Sequence, residues 1–210
     1  MMKQTRTGLL LVVSGPAGVG KGSVNNGLIK RNRDIRMSVS ATTRPARPGE
    51  IDGVHYFFKS ENDFKRMIEE GAFLEYMRVF NTHYYGTPKS FVEQELKEGR
   101  SVILEIDVQG AMRVKEAYPD AVLIFIAPPS MSELKTRLIG RGTENTDAVE
   151  RRFATAYKEL DFAEKYDYIV VNDILDRAIS RVEHIISAER CRSSRNGELI
   201  GKLIGGRKEL

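Results

Sequence analysis

The residues with the clearest capacity for chemistry are three glycines and a lysine near the N-terminus. An apolar run, 9–13, leads into Gly15, Gly18 and Gly20, and Lys21 follows directly. Glycine permits positive φ, so bare backbone N–H groups can converge on an anion. The segment after Lys21 reads as a helix, whose unpaired N–H groups and positive dipole end point to the same place. This pattern predicts a phosphate-binding loop.

The loop departs from the usual G-x-x-x-x-G-K-[ST] pattern at one position. Gly22 stands where that pattern has Ser or Thr, and the hydroxyl comes one residue later, at Ser23. Ser23 is the candidate Mg²⁺ ligand, either after a local rearrangement or through a water. A chance glycine-rich turn is disfavoured, because strand, glycines, lysine and helix follow in order. The predicted nucleotide-binding residues of the loop are Gly15, Pro16, Ala17, Gly18, Val19, Gly20, Lys21, Gly22 and Ser23.

A second group of residues suits a second phosphate. Arg44 and Arg47 lie in a proline-stiffened segment that is followed by Tyr56. Guanidinium groups match a phosphate with paired donors, and proline reduces the entropy lost when a segment is fixed. A solvated arginine loop is the alternative, and the neighbouring phosphate loop disfavours it.

Two carboxylates end an apolar run at 102–106. Glu105 and Asp107 lie where an open parallel sheet presents its strand ends to ligands. One could orient Mg²⁺ or its waters, and another could accept a hydrogen bond from a base.

The elements that must position these residues alternate between strand and helix. Apolar runs at 9–13, 102–106, 121–126 and 168–171 are separated by helical segments, which predicts a parallel sheet. Helices are expected at 22–31, 90–98, 109–117, 131–138, 147–165 and 173–190, with Thr146, Ser130 and Asp173 as caps. Segment 38–87 breaks this rhythm and reads as a small inserted region of short strands and turns. Segment 140–146 reads as a mobile loop.

Composition narrows the class of protein. The chain has 210 residues, which favours one domain, and one cysteine, Cys191, which excludes an intrachain disulfide. With no signal sequence and no apolar run of membrane-spanning length, we expect a cytoplasmic protein. The net charge is +4, but segment 192–210 holds five basic and two acidic residues. A basic tail, partly disordered, explains the charge better than a nucleic-acid partner does.

The motifs together resemble the guanylate kinase family. The likeness covers about residues 8–188 and includes the phosphate loop, 38–50, 53–57, 84–87, 106–110, 125–129, 137–144 and 169–173. It implies the reaction of ATP and GMP to ADP and GDP with Mg²⁺. It also implies an α/β fold, in which a P-loop parallel sheet flanked by helices carries an inserted small mixed α/β GMP-binding subdomain and a mobile lid. The implied parts are a domain at 7–188 (core 7–37 and 88–188, GMP-binding region 38–87, lid about 139–150) and a tail at 189–210.

The resemblance also implies roles for individual residues. The contacts to the GMP phosphate fall on Ser40, Arg44, Arg47, Tyr56 and Tyr85, and those to guanine on Glu75, Thr87 and Asp107. Carboxylates suit guanine, because its N1–H and N2–H are donors that adenine does not present. Asn172 matches the adenine-side contact. The catalytic cations are Lys21, Arg44, Arg137, Arg141 and Arg152. Ala17 and Thr87 stand where the family often has serine.

The predicted partners are small molecules: GMP, with dGMP left open, but no nucleic acid, no membrane and no obligatory protein. Two other functions remain as alternatives. One is a catalytically silent interaction module, which the phosphate loop and the lid arginines oppose. The other is a kinase of a different nucleotide or sugar phosphate, which Glu75 and Asp107 oppose. His55, His83 and His184 lack metal-ligand spacing, so we expect no zinc site.

Overall fold

A computed structural model describes residues 8–79, 82–140 and 146–205. Its strands are β1 Leu10–Ser14, β2 Ile35–Met37, β3 Ala41–Thr42, β4 Phe57–Phe58, β5 Phe73–Val79, β6 His83–Pro88, β7 Ser101–Glu105, β8 Val122–Ala127 and β9 Tyr168–Val171. Its helices are α1 Lys21–Arg31, α2 Glu61–Glu69, α3 Lys89–Lys97, α4 Val108–Ala117, α5 Met131–Ile139, α6 Thr146–Leu160, α7 Leu175–Cys191 and α8 Gly197–Gly205.

The centre of the fold is a five-stranded parallel sheet in the order β2-β7-β1-β8-β9. This confirms the predicted α/β fold with a parallel sheet flanked by helices. The apolar runs form four of the strands. The fifth, β2, was not predicted, because it is only three residues long and its middle residue, Arg36, is exposed. So short a run carries no periodicity to detect.

Strand β1 is buried on both faces, which explains its unbroken apolar run. Leu11 and Val13 pack into one hydrophobic cluster together with side chains of α1, α5 and α7. Leu10 and Val12 point the opposite way, into a second cluster with side chains of α3 and α4. The strand that leads into the phosphate loop is therefore fixed by apolar packing on two sides.

The inserted region forms a second, mixed sheet in the order β4-β3-β6-β5. Helix α2 covers it, and Phe64 of that helix is fully buried. The Phe64 ring stacks on Phe73 and Tyr84 at centroid distances of 4.4 and 5.3 Å. This sheet has its own small aromatic core, and Tyr84 packs on Phe64 while Tyr85, the next residue of the strand, points to the other face.

Helix caps agree with the sequence in part. The Ser130 hydroxyl accepts from the Glu133 N–H at 3.1 Å, which confirms the predicted cap of α5. The expectation for Asp173 is wrong, since α7 begins two residues later and Ile174 is its N-cap. Asp173 Oδ1 instead accepts from the Ile174 N–H at 2.8 Å and pairs with Arg181. The side chain of Thr146 lies outside the described residues.

The chain after α7 is more ordered than its composition suggests. The carboxylate of Glu189 is buried and accepts from the Tyr168 hydroxyl at 2.6 Å and from Arg195 at 3.1 Å. These contacts fix the turn that precedes α8. The segment that leads to α8 is therefore held by specific contacts, because a buried carboxylate binds arginines that look like free surface charges in the sequence, whereas every residue of α8 is exposed. Residues 206–210 lie outside the described part of the chain.

Candidate active site

Three predicted site residues lie within two residues of the carboxyl ends of strands of the core sheet. Gly15 follows β1, Asp107 lies two residues after β7, and Asn172 follows β9. The three strands run parallel, so their carboxyl ends share one edge of the sheet, the edge at which open α/β sheets bind ligands. The structure therefore has Gly15, Asp107 and Asn172 at the sheet edge where the sequence predicts that ligands bind.

The phosphate loop, residues 15–23, needs its glycines. Gly15, Gly18 and Gly20 have φ values of 143°, 84° and 95°. A Cβ at Gly20 would lie 2.5 Å from Asn172 Nδ2, and one at Gly15 would collide with the carbonyl oxygen of Ile126. Gly20 is also the N-cap of α1, and no side chain caps that helix end. The first N–H groups of α1 are thus left for an anion.

Lys21 is folded over this loop. Its Nζ donates to the carbonyl oxygens of Gly15 and of Pro16, the latter at 3.3 Å. Ser23, the candidate Mg²⁺ ligand, is exposed on the first turn of α1. Glu105 lies beside the same turn, where its Oε2 accepts from Asn25 Nδ2 at 2.8 Å. Glu105, the last residue of β7, therefore lies beside α1.

Two predicted nucleotide-binding residues hold the loop from outside. Asn172 is buried, and its Nδ2 donates to the Val19 carbonyl oxygen at 2.8 Å. Arg137 donates to the Asn172 carbonyl oxygen at 3.1 Å and to that of Val19 at 3.4 Å. Its Nε pairs with Glu133 at 3.1 Å. Asn172, the predicted adenine-side contact, therefore binds the phosphate loop through its side-chain amide. Arg137, a predicted lid arginine, lies beside the same loop.

The other two predicted lid cations are less defined. Arg152 is exposed on α6, and Arg141 lies outside the described residues. The helix that carries Arg152 packs against α5, where Lys135 pairs with Glu150 at 2.9 Å. Arg137 and Arg152 thus come from two helices that contact each other.

The inserted sheet carries a second cationic site, which we call the arginine site (Ser40, Arg44, Arg47, Tyr56, Tyr85). Arg44 donates through both Nη atoms to the Glu50 carboxylate, at 2.8 and 2.9 Å. Glu50 Oε2 also accepts from the Arg47 N–H at 2.7 Å. The hydrogen bond from Arg44 lowers the pKa of Glu50 to about 2. Glu50 was not singled out from the sequence, although an acid three residues after Arg47 in a Pro-Gly turn is the signal that could have found it.

Two tyrosines group around Arg44. Its guanidinium carbon lies 5.2 Å from the centroid of the Tyr56 ring, and the Tyr56 and Tyr85 rings meet edge to face at 6.0 Å. Burial raises the pKa of Tyr56, so it remains a neutral hydrogen-bond donor at pH 7. Ser40 is half-buried beside β3, and the side chain of Arg47 is exposed. The structure therefore groups Arg44, Tyr56 and Tyr85, with Ser40 and Arg47 in the chain segments on either side of β3.

The predicted guanine contacts form a pocket where β5 meets the start of α4, which we call the carboxylate pocket (Glu75, Thr87, Asp107). Glu75 is buried, and its Oε1 accepts from the Thr87 hydroxyl at 3.0 Å. Asp107 Oδ1 caps α4 by accepting from the Gly110 N–H at 2.7 Å. Burial raises the pKa of Glu75. The sequence brought these residues together by resemblance alone, and the structure shows that Asp107 is also a helix cap.

Two further searches concern the described part of the chain only. Residues 8–79, 82–140 and 146–205 contain no group of three or more His, Cys, Asp or Glu side chains that could hold a metal ion. Within the same ranges, every helix is too short or too polar to cross a bilayer. Of the histidines, His55 has a local structural contact, since its Nδ1 accepts from the Ile51 N–H at 3.0 Å.

Comparisons with known proteins agree with this geometry. The sequence profile of the family described as guanylate kinase matches residues 7–189. The chain is similar to a guanylate kinase of Caldanaerobacter subterraneus subsp. tengcongensis, with 54% identity over 96% of this chain and 98% of that protein. A guanylate kinase of Clostridium perfringens is 52% identical over 90% and 87%. The crystal structure of guanylate kinase from Anaplasma phagocytophilum superposes with a TM-score of 0.73 at 35% identity, covering 90% and 89% of the two chains. The chain belongs to the guanylate kinase family.

Proposed function

We propose that the chain transfers a phosphoryl group from ATP to GMP, giving ADP and GDP. The observation that carries this proposal is a pair of anion-binding sites in one chain. The first is the phosphate loop with the uncapped start of α1. The second is the arginine site, which shares the inserted sheet with Glu75 and Thr87 of the carboxylate pocket. A donor and an acceptor nucleotide each require such a site.

The carboxylate pocket selects guanine by its acceptors. Guanine presents N1–H and N2–H, which Glu75 and Asp107 can accept, whereas adenine would leave the carboxylate oxygens that face the base without a donor. Leaving a buried acceptor unpaired costs about 1–3 kcal/mol. In the structure, the hydroxyl of Thr87 donates its hydrogen bond to Glu75. A hydrogen bond from Thr87 to O6 of the base therefore requires that hydroxyl to rotate.

Transfer of the phosphoryl group needs positioning and positive charge rather than a general base, because a phosphate oxygen is already ionised at neutral pH. Lys21, Arg137, Arg141 and Arg152 supply the charge around the transferred group, and Arg44 holds the acceptor phosphate. The oxygen donors near the loop suit a hard cation. Ser23 would hold Mg²⁺, directly or through water, and the bound ion would neutralise charge on the phosphate oxygens.

A nucleotide panel tests the proposal. ADP release from ATP is measured with GMP, dGMP, AMP, CMP and UMP as acceptors, and Lys21→Ala serves as the inactive control. We expect kcat/KM for GMP to exceed that for AMP by at least about 10², the ratio that unpaired buried carboxylates produce. Equal rates with AMP or another acceptor would indicate a different nucleotide kinase, and no turnover with any acceptor would indicate a silent module.

Selection of the base has its own test. Asp107→Asn keeps a side chain that caps a helix but removes the charge, and Glu75→Gln is the matching change in the buried partner. Both variants should lose preference for GMP over AMP, with the fold retained. Unchanged discrimination would refute the assignment of the carboxylate pocket to guanine.

A further inference from the structure

Arg113 of α4 is the positively charged neighbour of the buried Glu75. Its Nη2 lies 3.7 Å from Glu75 Oε2, which is within ion-pair range but too long for a hydrogen bond. Arg113 Nε and Nη2 are buried and have no hydrogen-bond partner among the described residues, although the side chain as a whole is 41% exposed. Unpaired buried donors are costly. The position of this guanidinium therefore calls for an explanation beyond packing.

The surroundings of Glu75 differ at its two oxygens. Oε1 accepts from the Thr87 hydroxyl. Oε2 faces Arg113 and the first turn of α4, where a Cβ added to Gly110 would lie 3.2 Å away. The side chain of Glu75 is only 5% exposed, so water cannot stabilise its charge. Arg113 and the positive end of α4 must do so instead.

We propose that Arg113 is a positioning residue that keeps Glu75 negatively charged and directed toward the base while leaving its Oε2 able to accept a hydrogen bond. The inference rests on the proposed function, because it assigns the base-reading role to Glu75. At 3.7 Å the guanidinium contributes charge without occupying an Oε2 lone pair. A shorter, forked contact such as that between Arg44 and Glu50 would occupy both carboxylate oxygens.

The charge state of Glu75 decides whether it can bind guanine. An ionised carboxylate accepts from N1–H and N2–H, whereas a protonated one places a donor against a donor. Burial raises the pKa of Glu75, the Asp107 charge raises it further, and Thr87 and Arg113 oppose that rise. Without Arg113 the pKa rises again. Binding of GMP should then be lost at a higher pH as the solution is acidified.

The test compares three variants of the full-length chain. Arg113→Met removes the charge and keeps a long stem, and Arg113→Lys keeps the charge. Arg66→Met is the control, since Arg66 is exposed on α2 and the same substitution there removes only an exposed ion pair with Asp63. Steady-state rates against GMP and against ATP are measured between about pH 5.5 and 8.5. Binding of GMP alone is measured by calorimetry, and unfolding by a thermal melt.

We expect Arg113→Met to raise KM for GMP about tenfold at low pH, the ratio that corresponds to one pKa unit. The acidic limb of kcat/KM for GMP should move up by about one pH unit. KM for ATP and kcat at saturating GMP should stay within about twofold of the parent, Arg113→Lys should recover most of the loss, and Arg66→Met should behave as the parent. If Arg113→Met does not fold, Arg113→Gln is measured in its place.

Two results would overturn the inference. In the first, the affinity for GMP and the acidic limb do not change. In the second, KM for ATP rises equally and the melting temperature falls, which is the pattern of a purely structural ion pair. Failure of the proposed function is distinguishable. A chain that binds GMP without turnover, and binds it more weakly as Arg113→Met, would refute the reaction but retain the role of Arg113.

Discussion

The phosphate loop and the arginine site, which we propose to bind the same kind of group, are built by different means. In the phosphate loop, no side chain caps the first N–H groups of α1, and β1, which leads into the loop, is buried on both faces. In the arginine site, the donors belong to Arg44, whose orientation depends on Glu50 and on the ring of Tyr56. The first site is fixed by packing and glycine geometry. The second is fixed by a partly buried ion pair on a smaller sheet.

This difference indicates which of the two sites can change its geometry when the ligand binds. Backbone donors cannot be moved without moving the core sheet, so the phosphate loop is preorganised for its ligand. The Arg44 side chain already bonds a carboxylate, which, like a phosphate, presents two anionic oxygens to the guanidinium group. Binding of a phosphate must share Arg44 with Glu50 or replace it. We therefore expect changes in the loop to affect kcat and changes in the arginine site to affect KM for GMP.

The largest effect should come from the lysine of the loop. Lys21→Ala removes the mobile charge but leaves the apolar support of the loop, so kcat should fall by about 10²–10³-fold while the melting temperature changes little. The matched control is Lys30→Ala, which removes an exposed lysine from the last turn of the same helix. A normal kcat in Lys21→Ala would remove the loop from the mechanism.

Loop geometry is tested by a pair of glycines. Gly20→Ala forces a Cβ onto a residue with φ of 95° and against Asn172 Nδ2, so we expect about 1–3 kcal/mol of destabilisation together with lower activity. Gly201→Ala is the control in α8, where a Cβ meets nothing within 4 Å. That change should stabilise by roughly 0.5–1 kcal/mol. Chemical denaturation measures both, and a neutral Gly20→Ala would contradict the packing described for the loop.

The arginine site is tested by exchanging its fork for a point charge. Arg44→Lys keeps the charge but loses the paired donors, so KM for GMP should rise about tenfold, as expected for one charged hydrogen bond. Arg47→Lys should raise it less, because the Arg47 side chain is exposed. KM for ATP should not change in either variant. A fall in kcat without a change in KM for GMP would place Arg44 at the transferred phosphoryl group instead.

The smallest effect should come from Glu50. Glu50→Gln weakens the hold on Arg44, and we expect a severalfold rise in KM for GMP, because Arg44 loses the ionised carboxylate that orients both of its Nη atoms. The pKa of Glu50 is lowered to about 2, so its contribution is present above the ordinary carboxyl pKa and is lost only as pH falls toward 2. The ratio of KM between Glu50→Gln and the parent should therefore be flat from about pH 5.5 to 8.5.

Much of the fold follows from the sequence, because its determinants are local. Long apolar runs such as 121–126 and turns such as the Ser130 cap act over a few residues. The parts that sequence reasoning missed depend on distant contacts. Strand β2 exists because it pairs with β7. The turn before α8 is ordered because Glu189 meets Tyr168 and Arg195. No short pattern encodes such pairs.

The site shows the same division. The phosphate loop could be read directly, since strand, glycines and lysine are contiguous. The arginine pair was also predicted from the residues themselves, whereas the carboxylate pocket came from resemblance, and the supporting contacts of both were not visible in the sequence. The amide of Asn172 reaches Val19 across 153 residues, and Arg113 reaches Glu75 through the packing of α4 on β5. Residues that position other residues, rather than contact the ligand, form no recognisable spacing pattern in the sequence.

The proposed function requires the phosphate loop and the arginine site to face one cleft and to act on one pair of nucleotides. Calorimetry with adenosine and guanosine joined through a chain of phosphates tests it most directly, because such a compound spans both sites only if they face each other. We predict an affinity at least about 10² above that of either nucleotide alone, weakened by Lys21→Ala and by Arg44→Lys. An affinity equal to that of ATP, and insensitive to Arg44→Lys, would contradict the account.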